Sequence, residues 1–302
     1  MTSAQSSPQR PGRFQVWMLA IRPKTLWAAV APVLMGTAMA FGDGAHHWGA
    51  FSAALVGALL IQIGTNFAND YYDFHKGADD HDRLGPVRVT QAGLMRPEVV
   101  RTAFFVIFAL AFLIGLYLVY RAGWPILLVG VLSILFGILY TGGPYPLGYN
   151  GLGDFFVLIF FGPVAVGGTY YVQALDINGL VLLAGLGPGL ISTALLAINN
   201  LRDIDTDRRA GKRTLAVRFG REFAKLEYLF SIIVPCLLPA LLAYLNRGNY
   251  FVLITVMVLL LAIPSFRIVM SDQRGPVLNQ VLANTGKILL AYGVLFSLGW
   301  VL

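Results

Sequence analysis

Nearly half of the 15 acidic residues fall in two short clusters. The first reads Asn66-Phe-Ala-Asn69-Asp70-Tyr-Tyr-Asp73-Phe-His-Lys76-Gly-Ala-Asp79-Asp80. The second reads Asn199-Asn200-Leu-Arg202-Asp203-Ile-Asp205-Thr-Asp207-Arg208-Arg209. Residues three or four apart share a helix face. Gln62, Asn66, Asp70 and Asp73 therefore form one polar stripe, and Asn199, Asp203 and Asp207 another, with Asp205 rotated off it. Stacked carboxylates repel one another and resist burial, and at a membrane boundary such groups face the bundle interior and mark function. A divalent cation resolves the conflict. Mg²⁺ takes oxygen ligands, keeps several waters, and is commonly held by one or two carboxylates plus substrate phosphates. Two facing stripes fit two or more Mg²⁺ ions with a diphosphate between them, the metals neutralising charge on a departing diphosphate. The expected ligands are Asn66, Asp70, Asp73, Asn199, Asp203 and Asp207, the four aspartates being the candidate catalytic acids as well.

Basic residues follow each cluster: Lys76, Arg83 and Arg88 after the first, and Arg208, Arg209, Lys212 and Arg213 after the second. Arg forks and Lys point charges are phosphate ligands. Most of these cations set topology; Lys76, Arg88, Lys212 and Arg213 are the candidates for diphosphate contact. Asn66-x3-Asp70 is echoed by Asn199-x3-Asp203, and a basic, Gly-containing stretch follows each, which hints at an internal repeat with two half-sites across a cavity. A third segment, from Tyr140 to Asp154, is rich in Gly and Pro, which punctuate turns. Its tyrosines are placed to cap a site with aromatic faces and hydroxyls. Asn69, Tyr140 and Tyr149 are the candidates for substrate contact, and Tyr140 also for a role at the reacting centre. Cys236 lies in an apolar run without an ionisable neighbour and reads as a small buried hydrophobe. The four histidines lack paired metal-ligand spacing, which argues against zinc.

The elements that hold these residues are membrane helices. Of the 302 residues, 57% are hydrophobic and only 12% charged, and the mean hydropathy is +0.70. A soluble domain runs near one quarter charged. The apolar runs predict about nine transmembrane helices in an all-α, polytopic protein: Pro23–Phe41, Ala50–Asn69, Thr102–Tyr120, Trp124–Tyr140, Asp154–Val172, Leu180–Leu201, Tyr228–Leu245, Tyr250–Val269 and Ile288–Leu302. Residues 1–22 are expected to form a disordered cytoplasmic tail, and 23–302 a single transmembrane domain. A signal peptide is discounted because Pro32 interrupts the first apolar stretch and the polar lead is long. With the N-terminus inside, only Arg121 and Arg247 of the 22 Lys and Arg residues fall on the outer side. That asymmetry is the positive-inside signature. Because the charges flank membrane segments, the net charge of +7 does not imply nucleic-acid binding.

Taken in order, Arg22-Pro-Lys-Thr25, Asn69-Asp-Tyr-Tyr-Asp73, Arg83-Leu-Gly-Pro86, Tyr140-Thr-Gly-Gly-Pro144, Gly151-Leu-Gly-Asp154, Asn199-Asn-Leu-Arg-Asp203 and Gly211-Lys-Arg-Thr-Leu-Ala-Val-Arg-Phe-Gly220 resemble the UbiA superfamily of intramembrane aromatic prenyltransferases. The 1,4-dihydroxy-2-naphthoate branch of menaquinone synthesis is the nearest in motif. The resemblance implies nine helices around a central cavity in the bacterial inner membrane, with the two Asp motifs on the cytoplasmic side. It also implies Mg²⁺-dependent transfer of a prenyl chain from a polyprenyl diphosphate to the naphthoate, with loss of the acceptor carboxylate, to give demethylmenaquinone. It carries metal or catalytic roles onto Asn66, Asp70, Asp73, Asn199, Asp203 and Asp207, and places Tyr140 near the reacting centre. Many relatives continue the first motif as Asp-x3-Asp, whereas here the acid after Asp73 is Asp79. Membrane lipid is the expected surrounding, and no protein partner is implied. The competing readings are another acceptor, such as 4-hydroxybenzoate or homogentisate, and a transporter with intramembrane carboxylates.

Overall fold

A computed structural model of the chain describes residues 11–77, 84–246, 250–271 and 273–302. Described residues that are not in helices lie in turns and loops, and no strand occurs among them. The helices are α1 (Arg13–Ile21), α2 (Trp27–Gly42), α3 (Trp48–His75), α4 (Pro97–Ala122), α5 (Trp124–Leu139), α6 (Gly153–Ile159), α7 (Ala165–Ala174), α8 (Gly179–Arg202), α9 (Ile204–Arg209), α10 (Leu215–Phe219), α11 (Arg221–Leu245), α12 (Val258–Met270) and α13 (Leu278–Val301).

Among the described residues, seven helical segments are long and apolar enough to cross a membrane. An eighth span is the pair α1–α2, bent by 48° at the short turn Pro23–Thr25, and α5 is a shorter apolar helix of 16 residues. Each of the nine expected spans thus has a helical counterpart. Side chains such as Phe105, Leu113, Leu128, Leu237 and Leu260 are exposed on the outside, as a lipid-facing surface requires. Inside, small residues let backbones approach, which is how membrane helices pack. A Cβ on Gly293 of α13 would come within 2.8 Å of the Ala31 Cβ on α2, and one on Gly36 would run into the Val166 carbonyl on α7. α8 is the most buried span and packs against α2, α6, α7, α11 and α13.

Several boundaries differ from expectation; α4 and α11 begin five and seven residues earlier, at Pro97 and Arg221. The second half of the supposed tail is a helix, Arg13–Ile21, with Val16 and Ala20 buried beside Phe67 of α3; residues 1–10 lie outside the described residues. α3 runs six residues past Asn69, so the whole Asn69–His75 stripe is helical. α13 begins at Leu278 rather than Ile288. Its polar first turns are paired inside the bundle: the Asn279 amide donates to the Leu84 carbonyl (3.0 Å), and that of Asn284 to Leu261 O and Ser265 Oγ.

α6 and α7 form one span broken by a wide turn at Phe160–Val164. Gly162 leaves helical angles there (φ −112°, ψ −112°), and Pro163 has no N–H to donate. The break lies against α8, where the Gly185 carbonyl and Gly189 Cα would be 2.7 and 3.1 Å from any Cβ on Gly162.

Candidate active site

The C-terminal turns of α3, the end of α8 with α9, and the loops around 84–96, 140–152 and 210–214 enclose the head of a cavity of about 720 Å³. Asn66, Asn69 and Asp73 line it from α3, and Asn199, Asp203 and Asp207 from α8 and α9. Arg88, Tyr140, Tyr149 and Lys212 join this polar head, as do Arg22, Lys24, Arg202 and Asn279, and much of the remaining lining is apolar.

Asp73 is the hub. It is 2% exposed; its Oδ2 accepts from Arg88 Nη2 (2.9 Å) and its Oδ1 from the Tyr149 hydroxyl (2.7 Å). Lys212 Nζ stands 4.0 Å from Asp73 and 3.5 Å from Asp207. The same ammonium lies 4.7 Å over the Tyr149 ring, a cation–π contact. One ammonium therefore joins a carboxylate from each motif. Burial pushes the Asp207 carboxyl up to about 6. Lys212 opposes that rise, and the charges on Asp203 and Asp73 add to it. Asp203 is gripped by the Arg202 fork at 2.8 and 2.6 Å. Arg202 also donates to Asn279 Oδ1 (2.7 Å), which ties the site to α13.

Several expected residues are not among the side chains that line the cavity. Asp70 does not line the cavity. Its two oxygens accept the backbone N–H groups of Val89 (3.0 Å) and Thr90 (3.2 Å), so it braces the turn that carries Arg88. The reason is angular: at about 100° per residue, Asp70 sits roughly 60° around α3 from Asp73. Arg213 is exposed and off the cavity; its backbone N–H donates to the Tyr149 carbonyl (2.7 Å). Lys76 is likewise not a lining residue, because its Nζ donates to the carbonyls of Thr141 (2.7 Å) and Gly143 (3.3 Å). Burial holds its ammonium below the usual lysine range, with Asp73 opposing. Asp205 faces away and is exposed. Asp79, Asp80 and Arg83 lie outside the described residues.

Asn66 and Asn69 line the cavity while holding its walls. The Asn66 amide donates to the Ile21 carbonyl (2.9 Å) and Thr25 Oγ1 (3.0 Å), which pins the α1–α2 elbow. Asn69 Oδ1 accepts from Thr141 Oγ1 (2.9 Å). Tyr140 closes α5, and its carbonyl accepts the Gly148 N–H. A Cβ on Gly148 or Gly153 would come within 2.9 Å of the Tyr140 ring or hydroxyl, so both positions need glycine for that approach. Arg202, Thr141 and Asn279 were not legible as site residues. A polar run at the start of an otherwise apolar helix was the one available signal for Asn279.

The donor set fits a magnesium-like cation. Asn69, Asp73, Asn199, Asp203 and Asp207 offer hard oxygens to one space, and a cationic group already stands between two of them. Among the described residues no three His, Cys, Asp or Glu side chains form a ready-made metal cage. That suits an ion whose remaining ligands are phosphate oxygens and water.

The UbiA prenyltransferase family model matches residues 29–300. The 1,4-dihydroxy-2-naphthoate octaprenyltransferase of Escherichia coli is 39% identical, over 96% of this chain and 96% of that one. The enzyme of the same name from Haemophilus influenzae is 35% identical, over 95% and 96%. Among solved structures, a UbiA homolog from Archaeoglobus fulgidus bound to DMAPP and Mg²⁺ superposes with a TM-score of 0.64 at 15% identity, covering 93% of this chain and 99% of that one. The chain belongs to the UbiA prenyltransferase family.

Proposed function

We propose that the protein transfers a prenyl chain from a polyprenyl diphosphate to 1,4-dihydroxy-2-naphthoate, releasing diphosphate and the acceptor carboxylate as CO2 and giving demethylmenaquinol, the reduced form of demethylmenaquinone. One observation carries the reading: Asp73 and Asp207, one from each motif, meet across Lys212 at the polar head of an otherwise apolar cavity. That is where a substrate with an anionic head and a hydrocarbon tail fits. The naphthoate acceptor is supported by the near full-length relatives that bear that name.

Bound Mg²⁺ would be held by Asp73, Asp203 and Asp207, with Asn69 and Asn199 beside them, and would draw charge from the departing diphosphate. The chain's own groups do the rest. Arg88 and Lys212 take the diphosphate oxygens. As the allylic C–O bond breaks, its electron pair leaves on the diphosphate and the cationic carbon faces aromatic rings, which stabilise positive charge. The apolar cavity excludes water that would otherwise capture that carbon. A ring carbon of the acceptor then forms the new C–C bond, and the electrons of the bond to the lost carboxylate return to the ring. The Lys and Arg distribution supports a multi-pass protein of the bacterial cytoplasmic membrane, with N-terminus and cavity head facing the cytoplasm.

Membranes containing the chain, supplied with naphthoate and a prenyl diphosphate, should form a decarboxylated prenyl-naphthoquinol, detected by mass spectrometry as itself or as its air-oxidised quinone, with Mg²⁺ and none with chelator. Product from 4-hydroxybenzoate but not from naphthoate would overturn the acceptor. No product from any aromatic acceptor, with folded protein, would overturn the reaction.

A further inference from the structure

Deeper in the same cavity lies a set of groups that the transfer chemistry does not use. Phe136 on α5 and Phe156 on α6 have ring centroids 4.6 Å apart. Phe160, at the wide turn, lies 5.4 Å from Phe136 and is stacked on Phe156 at 6.2 Å and 12°. All three line the cavity. Wide turns of this type recur at functional sites because they re-aim side chains out of the helical register.

Ser192 of α8 lines the same space. It is 4% exposed, and its Oγ has no hydrogen-bond partner among the described residues. Other helical hydroxyls near the cavity satisfy themselves on the preceding turn: Thr193 on the Gly189 carbonyl, Ser133 on that of Val129, and Thr65 on that of Ile61. Ser192 does not, and a buried orphan hydroxyl is costly unless something fills its valence. It stands on the face of α8 shared with Gly185, Gly189 and Leu196, the first two of which pack against the wide turn. Seven residues separate it from Asn199, about 10 Å along the helix. That places it one aromatic bicycle below the diphosphate end.

We infer that Phe136, Phe156, Phe160 and Ser192 form the subsite for the aromatic acceptor. The ring system slots against the phenylalanines, and Ser192 Oγ hydrogen-bonds a ring hydroxyl or carboxylate oxygen. This assignment rests on the transfer reaction proposed above. An isoprenoid tail would pack on the same rings, but it brings no atom that pairs with a hydroxyl, whereas an oxygenated naphthalene does.

The test uses the full chain in detergent and two readouts. The first is equilibrium binding of 1-hydroxy-2-naphthoate, a fluorescent probe that lacks the oxidisable second hydroxyl. The second is steady-state kinetics with the acceptor that the wild type turns over. Ser192→Ala should raise the probe Kd and the acceptor KM about 2- to 12-fold, the range of one net hydrogen bond, and leave the KM for prenyl diphosphate unchanged. Phe156→Leu should weaken the probe in the same direction. Wild-type probe affinity in Ser192→Ala, no probe binding to folded wild type, or a shift confined to the prenyl diphosphate KM would each overturn the subsite. Intact, Ser192-dependent probe binding without prenylated product from any acceptor would instead sink the transfer reading and leave the subsite standing.

Discussion

Asp70 and Asp73 are three residues apart on one helix, and substituting each separates a brace from a ligand. In Asp70→Asn the perturbed contacts are the bonds from the Val89 and Thr90 N–H groups, at 3.0 and 3.2 Å, onto a side chain that is 2% exposed. A hydrogen bond to a charged group contributes about 1.5–3 kcal/mol. Asparagine offers one carbonyl oxygen, so one bond weakens and the other sets an NH2 against an N–H. The local loss comes to about 2–4 kcal/mol, which opens the 84–96 turn roughly 30- to 700-fold more often. Hydrogen–deuterium exchange of peptides covering that turn reads this directly. Because Arg88 rides on the turn, the KM for prenyl diphosphate should rise while kcat falls less than about tenfold. Asp73→Asn removes the charge facing Arg88 and Lys212, and kcat should fall about 100-fold or more with the turn still protected. Equal kcat losses in the two variants, with unchanged exchange in Asp70→Asn, would refute the reasoning and return Asp70 to the metal site.

Further outcomes follow from named contacts. Since burial raises the Asp207 carboxyl to about 6, kcat/KM at limiting Mg²⁺ should fall as pH drops below about 6. Lys212→Met removes a charge that favours the carboxylate, so it should shift that acid limb upward; a limb near 4 in both proteins contradicts the assignment. Stability runs the other way: the folded carboxyl binds its proton more tightly than the unfolded one, so metal-free protein should gain thermal stability as pH falls from about 6 towards 4. Gly162→Ala places a Cβ 2.7 Å from the Gly185 carbonyl. Forcing α6 from α8 should cost about 1–3 kcal/mol, read as a lower melting midpoint by fluorescence-detected size exclusion; an unchanged midpoint would show that the two helices part without cost.

The membrane architecture was largely legible because apolar length is a one-dimensional signal. It failed where polar residues are satisfied by segments distant in sequence. Asn279 and Asn284 look like loop residues until Leu84, Leu261 and Ser265 are seen to accept from them. Residues 13–21 look like part of a tail because Arg13 and Gln15 mask the buried pair Val16 and Ala20. At the site, three- and four-residue spacing brought the right side chains to one end of the bundle. It did not resolve the angle between Asp70 and Asp73, because both fall within one broad helix face. Nor did spacing foresee what the basic residues would hold. Lys76 and Arg213 engage backbone groups of the tyrosine loop, and that choice depends on where a distant segment folds back.

The lysine between Asp73 and Asp207 gives the cleft a resident counterion. Because Lys212 is tethered to the site by the chain, its local concentration is set by the protein and not by the medium. A divalent ion binding alone between these carboxylates would have to displace this ammonium and leave it without a carboxylate. A polyanion changes the exchange, for it offers Lys212 a new partner while supplying oxygens that complete the coordination of the metal. On the transfer reaction proposed above, cation and diphosphate would arrive and depart as one unit, and between turnovers the acids would rest against their own lysine.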